Sequence, residues 1–279
     1  MANPGRSGAR LHSMSYLRAI STLGCSERTL TQVAELARLH ALDGLELRGL
    51  GGTLDLPAWF AQCYGTPTAL AVEASRLGAP ILALGTSFKL VEGSEADRAA
   101  LLAFAPWAEA LKVRWLRVFD GGSSKEPGVN RAALENLNWW RSQRRMNGWQ
   151  CDLMIETHDS LLTTPAIKQF IDAAEGAVIL WDSHHTWKHG GEAPAETWRA
   201  IRPHVVHVHV KDSISRPSGR HPYTYVLPGD GEFPAASLFA ALNADGYDGA
   251  VSLEWERAWH PYLPPIEEAL ASAGRYNWW

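Results

Sequence analysis

Ionisable side chains lie at the ends of four consecutive strand-like segments in the second half of this sequence. Each segment is a short apolar run of about eight residues that finishes in carboxylates, imidazoles or an amine. The segments are 151–158, 178–185, 205–212 and 249–256, and their polar residues are Glu156, His158, Asp182, His184, His185, His207, His209, Lys211, Asp212, Glu254 and Glu256. Carboxylates and imidazoles bind divalent cations and move protons at neutral pH. The residue types therefore indicate a metal site, an acid–base site, or both.

The alternation of side chains along a strand indicates which of these groups share a face. In the last segment Val251, Leu253 and Trp255 suit a helix-covered face, which turns Glu254 and Glu256 the other way. The same rule groups Glu46 with Arg48, Glu156 with His158, Asp182 with His184, and His207 with His209 and Lys211 on the inner side. We therefore predict that the ionisable groups converge on one pocket.

Several carboxylates in one apolar enclosure repel one another and lose hydration, and a divalent cation offsets both costs. The set that best fits this explanation is Glu156, Asp182, His209 and Glu254. Oxygen ligation with one imidazole favours a single Mn²⁺, with Mg²⁺, Co²⁺ or Zn²⁺ as alternatives. A lone strand-end residue is more often structural, and we interpret the deeper His207 as a supporting or core residue.

The elements that must position these groups form one repeating pattern of strands and amphipathic helices. The strand-like segments are 15–21, 44–48, 80–87, 115–120, 151–158, 178–185, 205–212 and 249–256, and helical faces recur between them, as at Leu30, Val33, Ala34, Ala37 and at Ile167, Phe170, Ile171, Ala174. Thr164 and Pro165 predict the start of the second of these helices. Eight strands in 279 residues predict an α/β fold, a single (β/α)8 TIM barrel over residues 1–279 with a flexible extension at 1–13. Active sites of such barrels lie at the carboxyl ends of the strands, where the ionisable groups are found.

Composition excludes several function classes. The chain has 26 Lys and Arg against 30 Asp and Glu, a formal charge of −4, so we expect no nucleic-acid partner. No apolar window approaches the roughly 18 residues of a membrane span, and we expect no membrane association. Three widely spaced cysteines, Cys25, Cys63 and Cys151, suggest free thiols in the cytoplasm. There is no GxGxxG or P-loop motif for a nucleotide cofactor.

Five sequence runs match a family pattern. They are ETHD at 156–159, DSHH at 182–185, HVHVKD at 207–212, PGDGEFP at 228–234 and GYDGAVSLEWE at 246–256. Together they resemble the xylose-isomerase-like TIM barrels of the sugar phosphate isomerase/epimerase family, which includes inosose dehydratase and tagatose 3-epimerase. The resemblance extends from the second strand onward and is strongest over strands five to eight.

The resemblance implies that Glu156, Asp182, His209 and Glu254 bind one divalent metal, with Glu156 and Glu254 also acting as the acid–base pair. The residues that we assign to the substrate are His185, His158, Lys211, Arg48, Glu46, Glu256 and Trp187; Glu256 fits an arginine partner equally well. The implied reaction transfers a proton next to a carbonyl through an enediolate. The implied substrate is a small sugar, cyclitol or keto-sugar, and homo-oligomers are common on this scaffold.

Alternative functions stay open at this point. An isomerase or epimerase is our first hypothesis, and a lyase on the same scaffold, an inosose-type dehydratase or a 3-keto-glycoside deglycosidase, is the second. A non-catalytic sugar-binding barrel is a third, and an endonuclease-four-type repair enzyme conflicts with the charge of −4. Loop 211–226 is long enough to act as a lid, and Trp278 and Trp279 fit either a fold back over a barrel face or a dimer contact.

Overall fold

Eight parallel strands close a barrel in the computed structural model, which describes residues 15–78, 80–126 and 130–278. The strands are β1 (Leu17–Ser21), β2 (Gly44–Leu47), β3 (Ile81–Lys89), β4 (Trp115–Phe119), β5 (Asp152–Glu156), β6 (Ile179–Asp182), β7 (Val205–Val210) and β10 (Ala250–Leu253), and two short strands, β8 (Asp212–Ile214) and β9 (Thr224–Val226), form a separate hairpin. The order around the barrel is β1-β10-β7-β6-β5-β4-β3-β2. The predicted TIM barrel is confirmed. The extension at 1–13 and Trp279 lie outside the described residues.

Helices follow the strands and cover the barrel. They are α1 (Leu30–Leu39), α2 (Leu56–Tyr64), α3 (Pro67–Leu77), α4 (Glu95–Leu102), α5 (Ala105–Leu111), α6 (Arg131–Asn147), α7 (Thr164–Ala173), α8 (Ser183–Lys188), α9 (Pro194–Ile201), α10 (Ala235–Ala244) and α11 (Ile266–Arg275). The start of α7 corrects our prediction by one residue, because Thr163 rather than Thr164 is the N-cap, accepting from the Ala166 amide at 3.4 Å. None of the described helices is both long and apolar enough to cross a membrane.

The apolar residues divide into an outer core and a small inner plug. The outer core lies between strands and helices, and Val208 and Val210 belong to it. The plug inside the barrel consists of Ala83, Met154 and Leu180. Val206 has the parity of Val208 and Val210, which alternation assigns to the helix-covered face. It packs against the plug instead, because the pairing of β6 with β7 shifts register opposite it.

Six of the eight barrel strands end earlier than the sequence predicted, while β1 ends as predicted and β3 ends two residues later. Segment 178–185 stops being a strand at Asp182, whose side chain accepts the His185 amide at 2.9 Å and caps α8. His184 therefore lies on a helix rather than in line with Asp182, and its Nε2 lies 2.8 Å from Ser213 Oγ in the hairpin. Glu254 and Lys211 likewise lie just beyond the last residues of β10 and β7.

The hairpin of β8 and β9 lies over the carboxyl ends of the strands, where we predicted a lid. Asp212 anchors it, because its carboxylate accepts the backbone amides of Ser213, Gly229, Gly231 and Phe233 at 2.9–3.0 Å. A Cβ on Gly231 would lie 2.1 Å from Asp212 Oδ1, so this position requires glycine. The PGDGEFP run thus wraps around a carboxylate.

Trp278, at the end of the described chain, folds back onto the barrel. Its side chain is buried, and its ring lies 5.8 Å from that of Phe239 on α10 and 6.0 Å from that of Phe233. This placement matches the first of our two expectations for Trp278.

Candidate metal centre

Glu156, Asp182, His209 and Glu254 meet at the mouth of the barrel. Glu156 and Asp182 end β5 and β6, His209 lies on β7, and Glu254 follows β10. One ligand-type atom from each lies within 4.8 Å of the other three, and all four side chains are buried. The structure thus brings together the four residues that the sequence analysis grouped.

Several facing atoms of this cluster make no hydrogen bond within the described part of the chain. They are Glu156 Oε1 and Oε2, Asp182 Oδ2 and His209 Nδ1, all buried. Two of them have a charged neighbour, since Lys211 Nζ lies 2.8 Å from Asp182 Oδ2 and Arg117 Nε lies 3.3 Å from Glu156 Oε2. Buried polar atoms are almost always hydrogen-bonded, so facing atoms without a hydrogen bond leave a place for a further partner. Carboxylate oxygens with one imidazole nitrogen are a donor set for a hard or borderline divalent cation. The residues present therefore fit such a cation.

Glu46 supports the His209 ring from the opposite side. Nε2 of His209 lies 2.8 Å from Glu46 Oε2, while Nδ1 lies 3.4 Å from both Glu156 Oε1 and Glu254 Oε2. Burial lowers the pKa of His209, but the carboxylates around it, Glu46 first, raise that pKa well above its usual value. A cation at Nδ1 would therefore displace a proton from this ring.

Glu46, which we assigned to the substrate, lies behind the His209 ring. The ring of His209 separates its carboxylate from the cluster, and its side chain has no exposed surface. Burial raises the pKa of Glu46, but His209 and His207 lower it further, so the carboxylate is ionised. His207 has the supporting place that we expected, with Nε2 lying 3.3 Å from Glu46 Oε2 and 2.7 Å from Ser252 Oγ.

The ammonium group of Lys211 contacts three carboxylates of the site. Its Nζ lies 2.8 Å from Asp182 Oδ2, 2.5 Å from Glu254 Oε2 and 2.6 Å from Glu256 Oε1. Burial lowers the pKa of Lys211, and these three carboxylates raise it well above its usual value. Glu256 also accepts the Tyr225 hydroxyl at 2.9 Å, so its partners are a lysine and a tyrosine of the hairpin.

Arg117 is a site residue that the sequence analysis missed. It is buried on β4, its Nε lies 3.3 Å from Glu156 Oε2, and its Nη1 donates to the Thr86 carbonyl at 3.0 Å. Burial raises the pKa of Glu156, but Arg117 is the main cause of a net lowering. The alternation along β4 was the available signal, since Leu116 and Val118 take the helix-covered face and leave Arg117 on the inner face.

Glu254 stays ionised for a similar reason. Burial raises the pKa of Glu254, but Lys211 and His209 lower it well below its usual value. Asp182 differs from the two glutamates, because burial raises its pKa and the positive charge of Lys211 opposes this only in part. Within the cluster, Glu156 and Glu254 are therefore the carboxylates whose pKa is lowered by neighbouring positively charged side chains.

His185 and His158 stand side by side at the mouth, with ring centroids 4.9 Å apart. His185 Nδ1 lies 3.1 Å from the Thr157 carbonyl, which assigns its hydrogen to Nδ1 and leaves Nε2 as the acceptor. Burial lowers the pKa of His185 well below its usual value. Burial also opposes the charged form of His158, but Asp159 and Glu156 raise its pKa to about 9.

Arg48 reaches the mouth, whereas Trp187 does not join the cluster. Arg48 is buried and its Nη2 donates to Ser87 Oγ at 2.9 Å. The ring of Trp187 lies 5.4 Å from that of His184 and 5.5 Å from that of Phe233. Trp187, which we assigned to the substrate, lies in the packing between α8 and the segment that follows the hairpin.

Asp120 resembles a ligand in the sequence but has another role. Its two carboxylate oxygens accept the backbone amides of His158, Asp159, Ser160 and Leu161 at 2.6–3.2 Å. The loop that carries His158 is therefore fixed by a carboxylate whose oxygens are already occupied.

These features define a class of protein, a (β/α)8 barrel whose strand ends hold a buried cluster of carboxylates and one imidazole. The family model described as xylose isomerase-like TIM barrel matches residues 72–276. The chain belongs to this family, as the strand-end motifs predicted.

Part of the chain is similar in sequence to two curated proteins. Inosose dehydratase from Klebsiella pneumoniae strains ATCC 700721 / MGH 78578 and 342 is 30% identical over 177 residues, which cover 58% of this chain and 54% of the relative. The chain thus spans about half the length of the curated relatives it matches.

Solved structures share the fold over nearly the whole chain. The probable 3-DHS dehydratase AsbF from Bacillus anthracis has a TM-score of 0.73 and 17% identity, covering 95% of this chain and 99% of that one. The IOLI protein, solved with a bound zinc atom, has a TM-score of 0.70 and 17% identity, covering 94% and 96%. At this identity the likeness extends to the fold alone.

Proposed function

We propose that this chain is a divalent-metal-dependent isomerase or epimerase that moves a proton next to the carbonyl of a sugar, cyclitol or keto-sugar. The convergence of Glu156, Asp182, His209 and Glu254, several of whose buried atoms make no hydrogen bond, carries the proposal. Mn²⁺ is the cation that we expect these residues to hold. A bound divalent cation supplies positive charge that stabilises a carbonyl oxygen as the adjacent C–H proton leaves.

Glu156 and Glu254 are the proposed acid–base pair. They come from β5 and from the end of β10, which are separated in the barrel by β6 and β7, so they approach a ligand between them from two sides. Arg117 and Lys211 keep them ionised, as a group that removes a proton requires. One carboxylate takes the proton from carbon. The other returns a proton, to the opposite face of the same carbon in an epimerase or to the neighbouring carbon in an isomerase. Nε2 of His185 is placed to accept a substrate hydroxyl.

A lyase is the second candidate, an inosose-type dehydratase or a 3-keto-glycoside deglycosidase. The 30% identity to inosose dehydratase favours it. The first step is the same proton removal, after which the electron pair of the C–H bond expels the oxygen substituent of the neighbouring carbon. The departing oxygen takes up a proton and leaves as water or as an aglycone alcohol.

Metal analysis followed by proton exchange tests the proposal. The purified, unchelated protein should hold about one Mn, Co, Mg or Zn per chain, and Glu254→Gln should hold less because one oxygen ligand is altered. In D₂O the wild type should incorporate deuterium into a ketose, an inosose or a 3-keto-glycoside, and Glu254→Gln should not. Glu268→Gln, an exposed change on α11, is the matched control and should behave as wild type.

The outcomes separate the candidates. Deuterium in recovered substrate without loss of water or an aglycone supports the isomerase, whereas an eliminated product supports the lyase. Tight sugar binding without exchange supports the non-catalytic barrel, and a chain without metal even after reconstitution contradicts the proposal. A cytoplasmic location and a homo-oligomeric state stay part of the proposal, and sedimentation analysis tests the latter.

A further inference from the structure

Arg48 is a buried cation without an ion-pair partner in the part of the chain that the structure describes. Its side chain is 4% exposed, Nη2 donates to Ser87 Oγ at 2.9 Å, and Nη1 is buried with no hydrogen bond. Other buried cations of the site have carboxylate partners, as Arg117 has Glu156 and Lys211 has Glu254. An unpaired buried charge costs several kcal/mol, so such a group requires an explanation.

A second guanidinium lies beside Arg48 and increases this cost. Arg48 Cδ and Arg117 Nη2 lie 2.7 and 3.2 Å from the position that a Cβ of Gly85 would occupy. Gly85 thus leaves the space in which the two arginines lie side by side. Burial first, and then the positive charge of Arg117, lowers the pKa of Arg48 to about 9. The two arginines together form a positive region with a free donor.

The carboxylates near Arg48 have other partners. Glu46 lies against His209 and His207, and Glu156 and Glu254 belong to the cluster that fits a cation. A cation bound by the oxygens of Glu156 and Glu254 would neutralise the negative charge that these carboxylates otherwise present to Arg48. Ser87, the hydrogen-bond partner of Arg48, has an exposed side chain, so this region is next to solvent.

We propose that Arg48 and the adjoining Arg117 bind a carboxylate group of the substrate, which makes the substrate a polyhydroxylated ketone that also carries an acid group. This inference rests on the proposed function, since the ketone of the same molecule must reach the metal centre. The free donor is Arg48 Nη1, because Arg117 Nε, although it makes no hydrogen bond, lies 3.3 Å from Glu156 Oε2. The planar donors of a guanidinium match the two oxygens of a carboxylate.

Three ketoses that differ only at C6 test the inference. They are D-fructose, D-fructuronate and D-fructose 6-phosphate, which end in a hydroxymethyl, a carboxylate and a phosphate group. Their affinities for the metal-loaded full chain are measured by calorimetry and by thermal shift. D-Fructuronate should bind at least about tenfold more tightly than D-fructose, the usual effect of a charge-assisted hydrogen bond.

Variants assign this preference to Arg48. Arg48→Gln should bind D-fructuronate and D-fructose equally, and Arg48→Lys should keep part of the preference because it retains the charge without the planar donors. The ligand-free Arg48→Gln protein should melt no lower than wild type, because an unpaired buried charge is removed. Arg131→Gln, which removes an exposed arginine on α6, should keep the wild-type preference.

Metal content and deuterium exchange, measured on the same samples, separate this inference from the proposed function. Wild-type protein that holds metal but does not prefer D-fructuronate, or that prefers D-fructose 6-phosphate, overturns the carboxylate site alone. A preference that survives in Arg48→Gln also overturns it. Protein that holds no metal overturns the proposed function.

Discussion

The Glu46 carboxylate lies 2.8 Å from Nε2 of His209, on the side of the ring opposite the Glu156 and Glu254 oxygens. This contact fixes the rotation of the ring and directs Nδ1 into the cluster. In metal sites a carboxylate behind a histidine sets the orientation of the ligand nitrogen and its basicity. Glu46 is therefore a positioning residue for the metal centre.

Replacing Glu46 with Gln should weaken metal binding by roughly 10- to 100-fold, because the ring loses its charged acceptor while every direct ligand is retained. Metal content after dialysis against graded chelator concentrations measures the change. Glu268→Gln serves as the control. Wild-type affinity in Glu46→Gln would exclude the positioning role.

Replacing Arg117 with Met should lower the free energy of unfolding of the metal-free protein by about 3–5 kcal/mol, because the Glu156 charge is left buried without its cation. The loss should be smaller in metal-loaded protein, where a bound cation sits beside the same carboxylate. Denaturant unfolding followed by tryptophan fluorescence measures both values.

A surface pair provides the contrast to Arg117. Arg38 pairs with Glu35 on α1 with side chains that are 69% and 53% exposed. Arg38→Met should leave the free energy of unfolding nearly unchanged, with or without metal, because an exposed ion pair contributes little to stability. Equal losses in the two variants would argue against an effect of burial on the Arg117 pair.

Asp212→Asn should loosen the hairpin while the barrel stays folded. The amide has one accepting oxygen instead of two, and its NH₂ group faces backbone amides that also donate. We expect faster trypsin cleavage after Arg220, which is exposed in this loop. An unfolding free energy lower by roughly 2–4 kcal/mol should accompany it. An unchanged cleavage rate would refute the anchoring role of Asp212.

Acid should also release the hairpin. His189 Nε2 lies 3.2 Å from the Tyr223 hydroxyl. Burial lowers the pKa of His189, and the positive charges of neighbouring basic side chains lower it further; these side chains are His221, Lys211, His158 and Lys188. The His221 ring stacks on that of Tyr223, with ring centroids 4.9 Å apart. Burial lowers the pKa of His221, and so do the positive charges of Lys211, Arg220 and His158, whereas Glu256 raises it. A lowered folded-state pKa stabilises the fold above the unfolded value of about 6.5, and this stability is lost as the pH falls below it.

Hydrogen exchange of residues 212–226 at about pH 7.5 and about pH 5.5, corrected for intrinsic rates, measures this effect. Exchange should be faster at the lower pH, and α6, which contains no histidine, is the internal control. The double variant His189→Gln and His221→Gln should reduce the difference. A remainder is expected from His184, which lies 2.8 Å from Ser213 of the hairpin and whose pKa burial lowers well below its usual value. An undiminished pH dependence in the double variant would assign the effect to other groups.

The sequence was sufficient for the barrel and for the grouping of four residues at its mouth. Alternation and strand-length runs located all eight strands, because each barrel strand has one face on the helices and one inside. The strand ends were less accurate, since the polar residues that follow β6 cap a helix instead of extending the strand. Asp182 and His185 show this, because a hydrogen bond between them turns the chain.

Residues placed by distant contacts were less predictable. Arg117 carried a usable signal in the alternation of β4, whereas Tyr225 carried none. Its contact with Glu256 depends on the pairing of Asp212 with Val226 across a loop, which no local pattern specifies. Asp120 and Asp212 have the same residue type and strand-end position as a ligand, and only their backbone-amide partners distinguish them.

The four cluster residues come from β5, β6, β7 and β10, which are contiguous and form one half of the wall. Arg48 directly follows β2 and its partner Ser87 lies on β3, in the other half. In our two proposals the reacting groups and the group that binds the acid of the substrate therefore lie on different arcs of one closed sheet. Substitutions at Arg48 and Ser87 should change which ketones are accepted while the chemistry stays the same, so these positions are the place to redesign selectivity.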